Sequence, residues 1–222
     1  MPLYEVCAAG DAALIVRLPE KIDAQVNTWC IALARALRLR FATTVRDIVI
    51  GYASVTVHFD PLRVDTAWLE AEIYAAVRDL ENESGPGGDL THTHAIVDVP
   101  VNYGGEHGPD LTDVARFAGC SEAEVIDRHS QREYRVYLVG FVPGFAYMAE
   151  VDPSIAAPRR ATPRTAVPAG SVAIAGGQTG IYPAVTPGGW NIIGRTSMLP
   201  YDPQRRQPFL FRPGDRVRFR SV

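Results

Sequence analysis

Lysine is almost missing from this chain of 222 residues: Lys21 is the only one, and the other 21 of its 22 basic residues are arginine. Unless Lys21 is used, no side chain can form a Schiff base or serve as the lysine of a phosphate loop. The cations that remain are permanently charged planar forks suited to carboxylate or phosphate. An excess of positive charge is missing too. The net charge of −3 argues against nucleic acid as a partner, because phosphate binding needs a basic footprint. Cys7, Cys30 and Cys120 are widely spaced and form no C-x-x-C pair, so a disulfide framework is not expected and a reducing cytoplasm is the natural home. No stretch reaches the roughly 18 apolar residues of a membrane span, and the start, MPLYEVCAAGDAAL, lacks the charged-then-apolar pattern of a secretory signal. There is no GxxxxGK[ST], no GxSxG and no HExxH; the glycine-rich Ala175–Gly180 stretch is followed by no lysine. A self-sufficient ATP-consuming hydrolase is therefore hard to read here, whereas a subunit supplying part of a shared site is not.

What is present reads as an ordinary globular chain, 47% hydrophobic and 21% charged, long enough for one large domain or two small ones. Residues 1–83 form one unit. Two apolar runs, Leu3 to Ala8 and Ala13 to Leu18, are split by Gly10-Asp11. Ile22, Val26, Trp29, Leu33 and Leu37 recur at helical spacing, with Cys30 among them as inert core. Asp47 to Ile50 and Ser54 to Phe59 read as strands. Asp65 or Thr66 can cap a second helix with Leu69, Ile73, Ala76, Val77 and Leu80 on its apolar face. The expectation is ββαββα, a small α+β layer with both helices on one face of the sheet.

Residues 84–92, rich in Gly, Pro and charge, read as a linker, and 93–222 as a second domain. It opens with a strand from Ala95 to Val101. Asp110-Leu-Thr-Asp113 is a plausible helix start, Gly119 suits that helix's end, and Ser121-x-x-Glu124 fits a capping box for another. After the strand Tyr134 to Gly140 the pattern is short strands and Gly/Pro turns, ending on Asp215 to Arg220, which suggests a β-barrel or sandwich.

The densest stretch is PRRATPRTAVPAGSVAIAGGQTGIYPAVTPGGWNIIGRT, residues 158–196. Glycine permits close backbone approach and proline removes donors, so the segment reads as short strands joined by shaped loops. Such loops build a small-molecule site or a docking surface. Arg164 and Arg195 are the favoured carboxylate partners, with Arg159 and Arg160 nearby; surface ion pairs are the alternative. Gln178 and Thr179 could hydrogen-bond an amide or only brace their loop. Tyr182 and Trp190 are platform residues, Trp190 serving equally well as a buried anchor. In FVPGFAY, residues 141–147, Phe145 and Tyr147 could wall a pocket for a flat amide or plug a barrel corner. Tyr103-Gly-Gly-Glu-His-Gly108 sets Glu106 beside His107, either a proton-transfer pair or a surface turn. His92 and His94 lack a third ligand and read as spacer, so no metal site is expected; His129 falls on a helix as a structural or solvent-facing residue.

Four segments carry a specific resemblance: VPVNYGGEHGPDL (99–111), EVIDRHSQREYRVYLVGFVPGFAYM (124–148), the 158–196 stretch and FRPGDRVRF (211–219). Over most of residues 95–220 the chain resembles the KipI / allophanate hydrolase subunit 1 family, also described as the B subunit of prokaryotic 5-oxoprolinase. The first unit matches in layout, DAALIVRL being its best local piece. The resemblance implies a cyclophilin-like β-barrel after the N-terminal α+β domain. It implies a non-autonomous subunit of an ATP-dependent lactam hydrolase, most directly 5-oxoprolinase, which opens 5-oxoproline to L-glutamate. The companion would be a subunit 2 or C-type (KipA-like) protein in a heterodimer or heterotetramer, with a third, A-type component, and ATP would be used by the complex rather than bound by this chain alone. The same family implies two alternatives: inhibition of a sensor histidine kinase, and subunit 1 of an allophanate or urea-type amidohydrolase. On the enzyme reading Glu106, which the family favours over His107, is the candidate catalytic residue. Arg164, Arg195, Gln178, Thr179, Tyr182, Trp190, Phe145 and Tyr147 would bind substrate.

Overall fold

In the computed structural model, residues 4–19, 22–83 and 96–222 are described; Lys21, the 84–92 linker, His92 and His94 lie outside them. The chain divides into two compact units, Met1–Thr93 and His94–Val222.

The first unit runs β1 (Glu5–Ala8), β2 (Ala13–Arg17), α1 (Ala24–Phe41), β3 (Asp47–Ile50), β4 (Ser54–His58), α2 (Thr66–Glu83), in the expected ββαββα order. Its sheet has the antiparallel order β1-β2-β4-β3. Period-two alternation sends Leu14, Val16, Val55 and Val57 to the core side. There they meet Leu33 and Leu37 of α1 and Leu69, Ile73 and Val77 of α2. Asp23 caps α1 by accepting from the backbone N–H groups of Gln25 and Val26, and Asp65 Oδ1 accepts from Trp68 N at the start of α2. Ile22, read from periodicity as part of the first helix's apolar face, lies before the Asp23 cap and is exposed. Cys30 is fully buried in this core, and burial pushes its thiol up to about 12, so it is inert.

The second unit holds β5 (Ile96–Tyr103), α3 (Leu111–Ala118), α4 (Glu122–Ser130), β6 (Glu133–Val139), β7 (Ala146–Ala149), β8 (Arg164–Val167), β9 (Ser171–Ala175), β10 (Gln178–Ile181), β11 (Thr186–Gly188), β12 (Asn191–Arg195) and β13 (Arg216–Ser221). Seven strands close a barrel in the order β10-β7-β6-β13-β5-β12-β9, and β8 with β11 forms a separate two-stranded ribbon. The α+β reading, with a barrel in this unit, holds. Gly119 ends α3 in the left-handed conformation and Ser121 with Glu124 completes the capping box of α4.

The strands β9 and β12 are buried on both faces, which positions the site. Val172, Ile174 and Ile193 point into the barrel core; Ala173, Ala175 and Ile192 point outward into a second apolar cluster with Phe145, Val167, Tyr182 and Trp190. A continuous apolar run such as Ser171–Ala175 signals this two-sided burial.

Inside the barrel, His129 is fully buried and its hydrogen bonds fix its tautomer. Thr179 Oγ1 donates to the Ala173 carbonyl (3.0 Å), so it must accept from His129 Nε2–H (2.9 Å), leaving Nδ1 to accept from the Tyr103 hydroxyl (2.7 Å). The ring stacks on Phe219 at 4.6 Å. Burial lowers the imidazole to about 3 and raises the Tyr103 phenol well above its ordinary range.

Candidate functional site

A pocket of about 370 Å³ opens on the outer face of the barrel wall, beside the β8–β11 ribbon. Phe145 is its hub. The ring is buried and makes edge-to-face contacts with Tyr147 (4.7 Å between centroids), Tyr182 (5.2 Å), Trp190 (5.4 Å) and Phe141 (5.8 Å). Each such contact adds about 0.5–1.5 kcal/mol beyond area burial, so the walls are stiff before any ligand arrives. Two glycines leave room for them: a Cβ on Gly180 would crowd the Phe145 ring, and one on Gly188 would overlap the Tyr182 phenol. The backbone N–H of Trp190 donates to the Tyr182 hydroxyl oxygen, and burial raises the phenols of Tyr182 and Tyr147, keeping both protonated.

The β6–β7 connection shapes the pocket mouth. Val142 N donates to Gly140 O (2.9 Å), a γ-turn centred on Phe141, whose φ is +70°. Phe145 N then donates to Val142 O (3.0 Å) across Pro143-Gly144, with Gly144 at φ +86° as a type II turn requires. A positive φ is costly for a bulky residue. It leaves the Phe141 ring 63% exposed at the rim.

Arg159 is the cation of this pocket. It has no ion-pair or hydrogen-bond partner among the described residues, and its charge acts on both Tyr147 and Tyr182. Among the described lining residues there is no carboxylate, imidazole or thiol. The pocket can therefore grip and orient a flat, acidic molecule but offers no acid–base pair of its own.

The sequence-derived site residues divide into several places. Phe145, Tyr147, Tyr182 and Trp190 come together in the aromatic pocket. Arg164 does not serve it as a free cation: Nη1 and Nη2 donate to the two oxygens of Asp110 (2.7 and 2.9 Å), an acid 2% exposed that also holds Arg160 and the backbone N–H of Ile192. Thr179 faces the barrel interior with His129 and Ala173, out of reach of a ligand. Gln178 pairs with Ala149 and Ala175 at the end of β10 and does not line the pocket. Glu106 stands in a loop with its side chain 89% exposed, 3.7 Å from His107, apart from the aromatic pocket. Arg195 lines a different cleft.

Asp110 is the residue sequence reading missed. It stands at the N-cap of α3, where a helix-start acid is expected, but its side chain makes no capping bond and turns to the arginines instead. Nothing local in the sequence signals a partner 50 or 54 positions away. Among the described residues no group of three or more His, Cys, Asp or Glu is placed to hold a metal ion, and no helix is long and apolar enough to cross a membrane.

A small α/β unit followed by a closed barrel with an outer pocket has close counterparts. The chain belongs to the carboxyltransferase-domain family, subdomains C and D, whose pattern matches residues 4–211. Within that family its similarity is to proteins named as the B subunit of 5-oxoprolinase, which establishes the resemblance read from the sequence. The Bacillus subtilis (strain 168) protein of that name is 40% identical over 220 residues, 97% of this chain and 92% of the relative. The Escherichia coli O157:H7 protein is 40% identical over 221 residues, 95% of this chain and 92% of the relative. Among solved structures, TTHA0988 matches with a TM-score of 0.81 and 38% identity over 95% of this chain, which spans only 40% of that longer protein. The Kluyveromyces lactis urea amidolyase matches with a TM-score of 0.78 over 100% of this chain and 15% of its own, at 19% identity, a likeness of fold.

Proposed function

We propose that this chain is the B subunit of a heteromeric ATP-dependent 5-oxoprolinase, non-autonomous, holding substrate in the aromatic pocket while a C-type (KipA-like) partner supplies the remaining groups and an A-type component completes the enzyme. 5-Oxoproline is a flat five-membered lactam carrying one carboxylate. The observation that carries the reading is Arg159, without a partner among the described residues, in the lining of a rigid aromatic pocket: a planar amide suits the ring edges and faces, and a carboxylate suits the guanidinium fork. The relatives named as the B subunit of 5-oxoprolinase, alike over almost the whole chain, point the same way.

The reaction adds water across the lactam C–N bond at the cost of ATP. Transfer of the γ-phosphoryl group of ATP to the lactam carbonyl oxygen, on groups of another polypeptide, would release ADP and make the ring carbon electrophilic; water would then attack, the ring nitrogen would leave as the amine, and a second water would hydrolyse the resulting acyl phosphate to glutamate and inorganic phosphate. This chain's part is to bind and orient. Arg159 fixes the carboxylate, Tyr147 and Trp190 border the ring, and Phe141 shields one side from water. The volume of about 370 Å³ leaves room for groups from a partner beside a five-membered ring.

The test is ATP-dependent consumption of 5-oxoproline by the three co-expressed subunits, with and without this chain. Turnover should vanish when it is omitted and return when it is restored; undiminished turnover in its absence would end this reading.

A further inference from the structure

Three glycine-bearing motifs that the aromatic pocket does not absorb meet elsewhere on the barrel: Tyr103–Gly108, Pro168–Ser171 and Gly194–Ser197. They border a second cleft of about 460 Å³ whose lining includes Asn102, His107, Ala169, Arg195, Ser197 and Leu199. The packing of the three motifs is tight. Gly104 N donates to Ile193 O (3.1 Å), Gly108 N to Gly104 O (2.8 Å) and Thr196 N to Gly170 O (2.9 Å). A Cβ on Gly108 would overlap the Ile193 carbonyl, and one on Gly170 the Thr196 carbonyl. Only glycine permits this approach, so the cleft is built by backbone rather than left by chance.

Its polar side chains come from separate strands and loops. Arg195 and Asn102 are directly opposed Cα partners on antiparallel strands β12 and β5, so their side chains share a face. Arg195 Nε donates to Ala169 O (3.1 Å), which orients the guanidinium and leaves both terminal nitrogens without a partner among the described residues. His107 and Ser197 add N–H and O–H groups from two other loops. Glu106, the neighbouring carboxylate, sits 3.7 Å from His107 and is almost fully solvent-exposed. Leu199 and Ala169 give the cleft an apolar side.

We infer that the Asn102–His107–Arg195 cleft is a second ligand site that takes a phosphoryl group, either as part of a nucleotide or as free phosphate. Donors arriving from two strands and two loops match the several oxygens of a tetrahedral oxyanion better than the two oxygens of a planar carboxylate. The apolar side accommodates the organic remainder of a nucleotide. The site is separate from the aromatic pocket and stands whether or not that pocket binds 5-oxoproline.

The test is isothermal titration of the purified full chain with ATP, with inorganic phosphate and with acetate as a carboxylate control. ATP or phosphate should bind and acetate should not compete. Arg195→Leu should weaken binding roughly 10- to 100-fold, as loss of a charge-assisted donor implies, while Arg159→Leu in the other pocket leaves it unchanged. Saturation by ATP at lower concentration than phosphate identifies a nucleotide; the reverse order identifies free phosphate. If Arg195→Leu does not fold, the double variant Asn102→Ala/His107→Ala carries the same expectation. Failure of both phosphoryl ligands to bind, acetate binding as tightly, wild-type affinity in these variants, or loss of binding in Arg159→Leu would each overturn the inference.

Discussion

Arg164 grips the buried carboxylate of Asp110 through both terminal nitrogens, at 2.7 and 2.9 Å, joining the start of β8 to the N-terminus of α3. Arg160 binds the same acid, and Ile192 N donates to it from β12. One carboxylate thus ties three separate segments around the aromatic pocket. Asp110→Ala would leave two arginines and a backbone N–H without their acceptor. Because the arginine side chains are about a third exposed, 31% and 27%, the cost falls at the low end for a broken buried pair, roughly 3 kcal/mol. Urea unfolding measures it, and a change below about 1 kcal/mol would show the network to be incidental.

Arg159 and Arg164 should part company in kinetics. Arg159→Leu removes the one pocket cation that has no partner among the described residues. In the reconstituted complex the KM for 5-oxoproline should rise about 10- to 100-fold, the worth of a charge-assisted contact, with the thermal midpoint little changed. Arg164→Leu should instead lower the midpoint. A KM effect confined to Arg164 would reverse this assignment.

Phe141 predicts opposite signs for stability and function. Its φ of +70° suits glycine, and its ring is mostly exposed. Phe141→Gly should therefore leave the fold as stable or up to about 1 kcal/mol more stable. Turnover should fall at least tenfold, since the pocket loses a wall. Parallel thermal melts and rate measurements decide it; a destabilised variant with full activity would contradict the role.

His129 gives a pH dependence with a definite sign. Burial holds its folded value near 3, below the ordinary imidazole range, so the unfolded chain takes up a proton that the folded chain refuses. The contribution is fully present above about pH 6.5 and is lost progressively as pH falls toward 3. Urea midpoints between pH 7 and 5 should drop accordingly, with the His129 ring staying neutral and Nε2-protonated by NMR. Titration of that ring near pH 6 would refute it. Asp98 and Asp152, whose arginine and serine partners lower them to about 2, add to acid loss only below the ordinary carboxylate range.

The layout was legible because its signals are local. Leu69, Ile73 and Val77 announce a helix face by spacing alone, and Ser121 with Glu124 announces a helix start within four residues. The Pro-Gly pair of Phe141–Tyr147 fixed a turn, and the aromatics flanking it had little choice but to gather where the turn brought them. The arginines were not legible in the same way. Arg159, Arg160 and Arg164 look alike in sequence, and which one is left without a partner among the described residues depends on where Asp110 arrives from another part of the chain. Thr179, in a glycine-flanked Gln-Thr pair, reads as a loop donor, yet strand alternation turns it into the barrel toward His129.

By itself, then, the sequence determined the two-unit order of elements, the capped helices, the turn at Pro143-Gly144 and the scarcity of any cation but arginine, since each rests on neighbours a few residues apart. Tertiary structure alone decided which arginine lines the aromatic pocket, that His129 is a neutral core residue, and that Arg195 and Trp190 line separate cavities. Those outcomes depend on barrel closure and strand register, which pair residues tens of positions apart through contacts that no local pattern encodes.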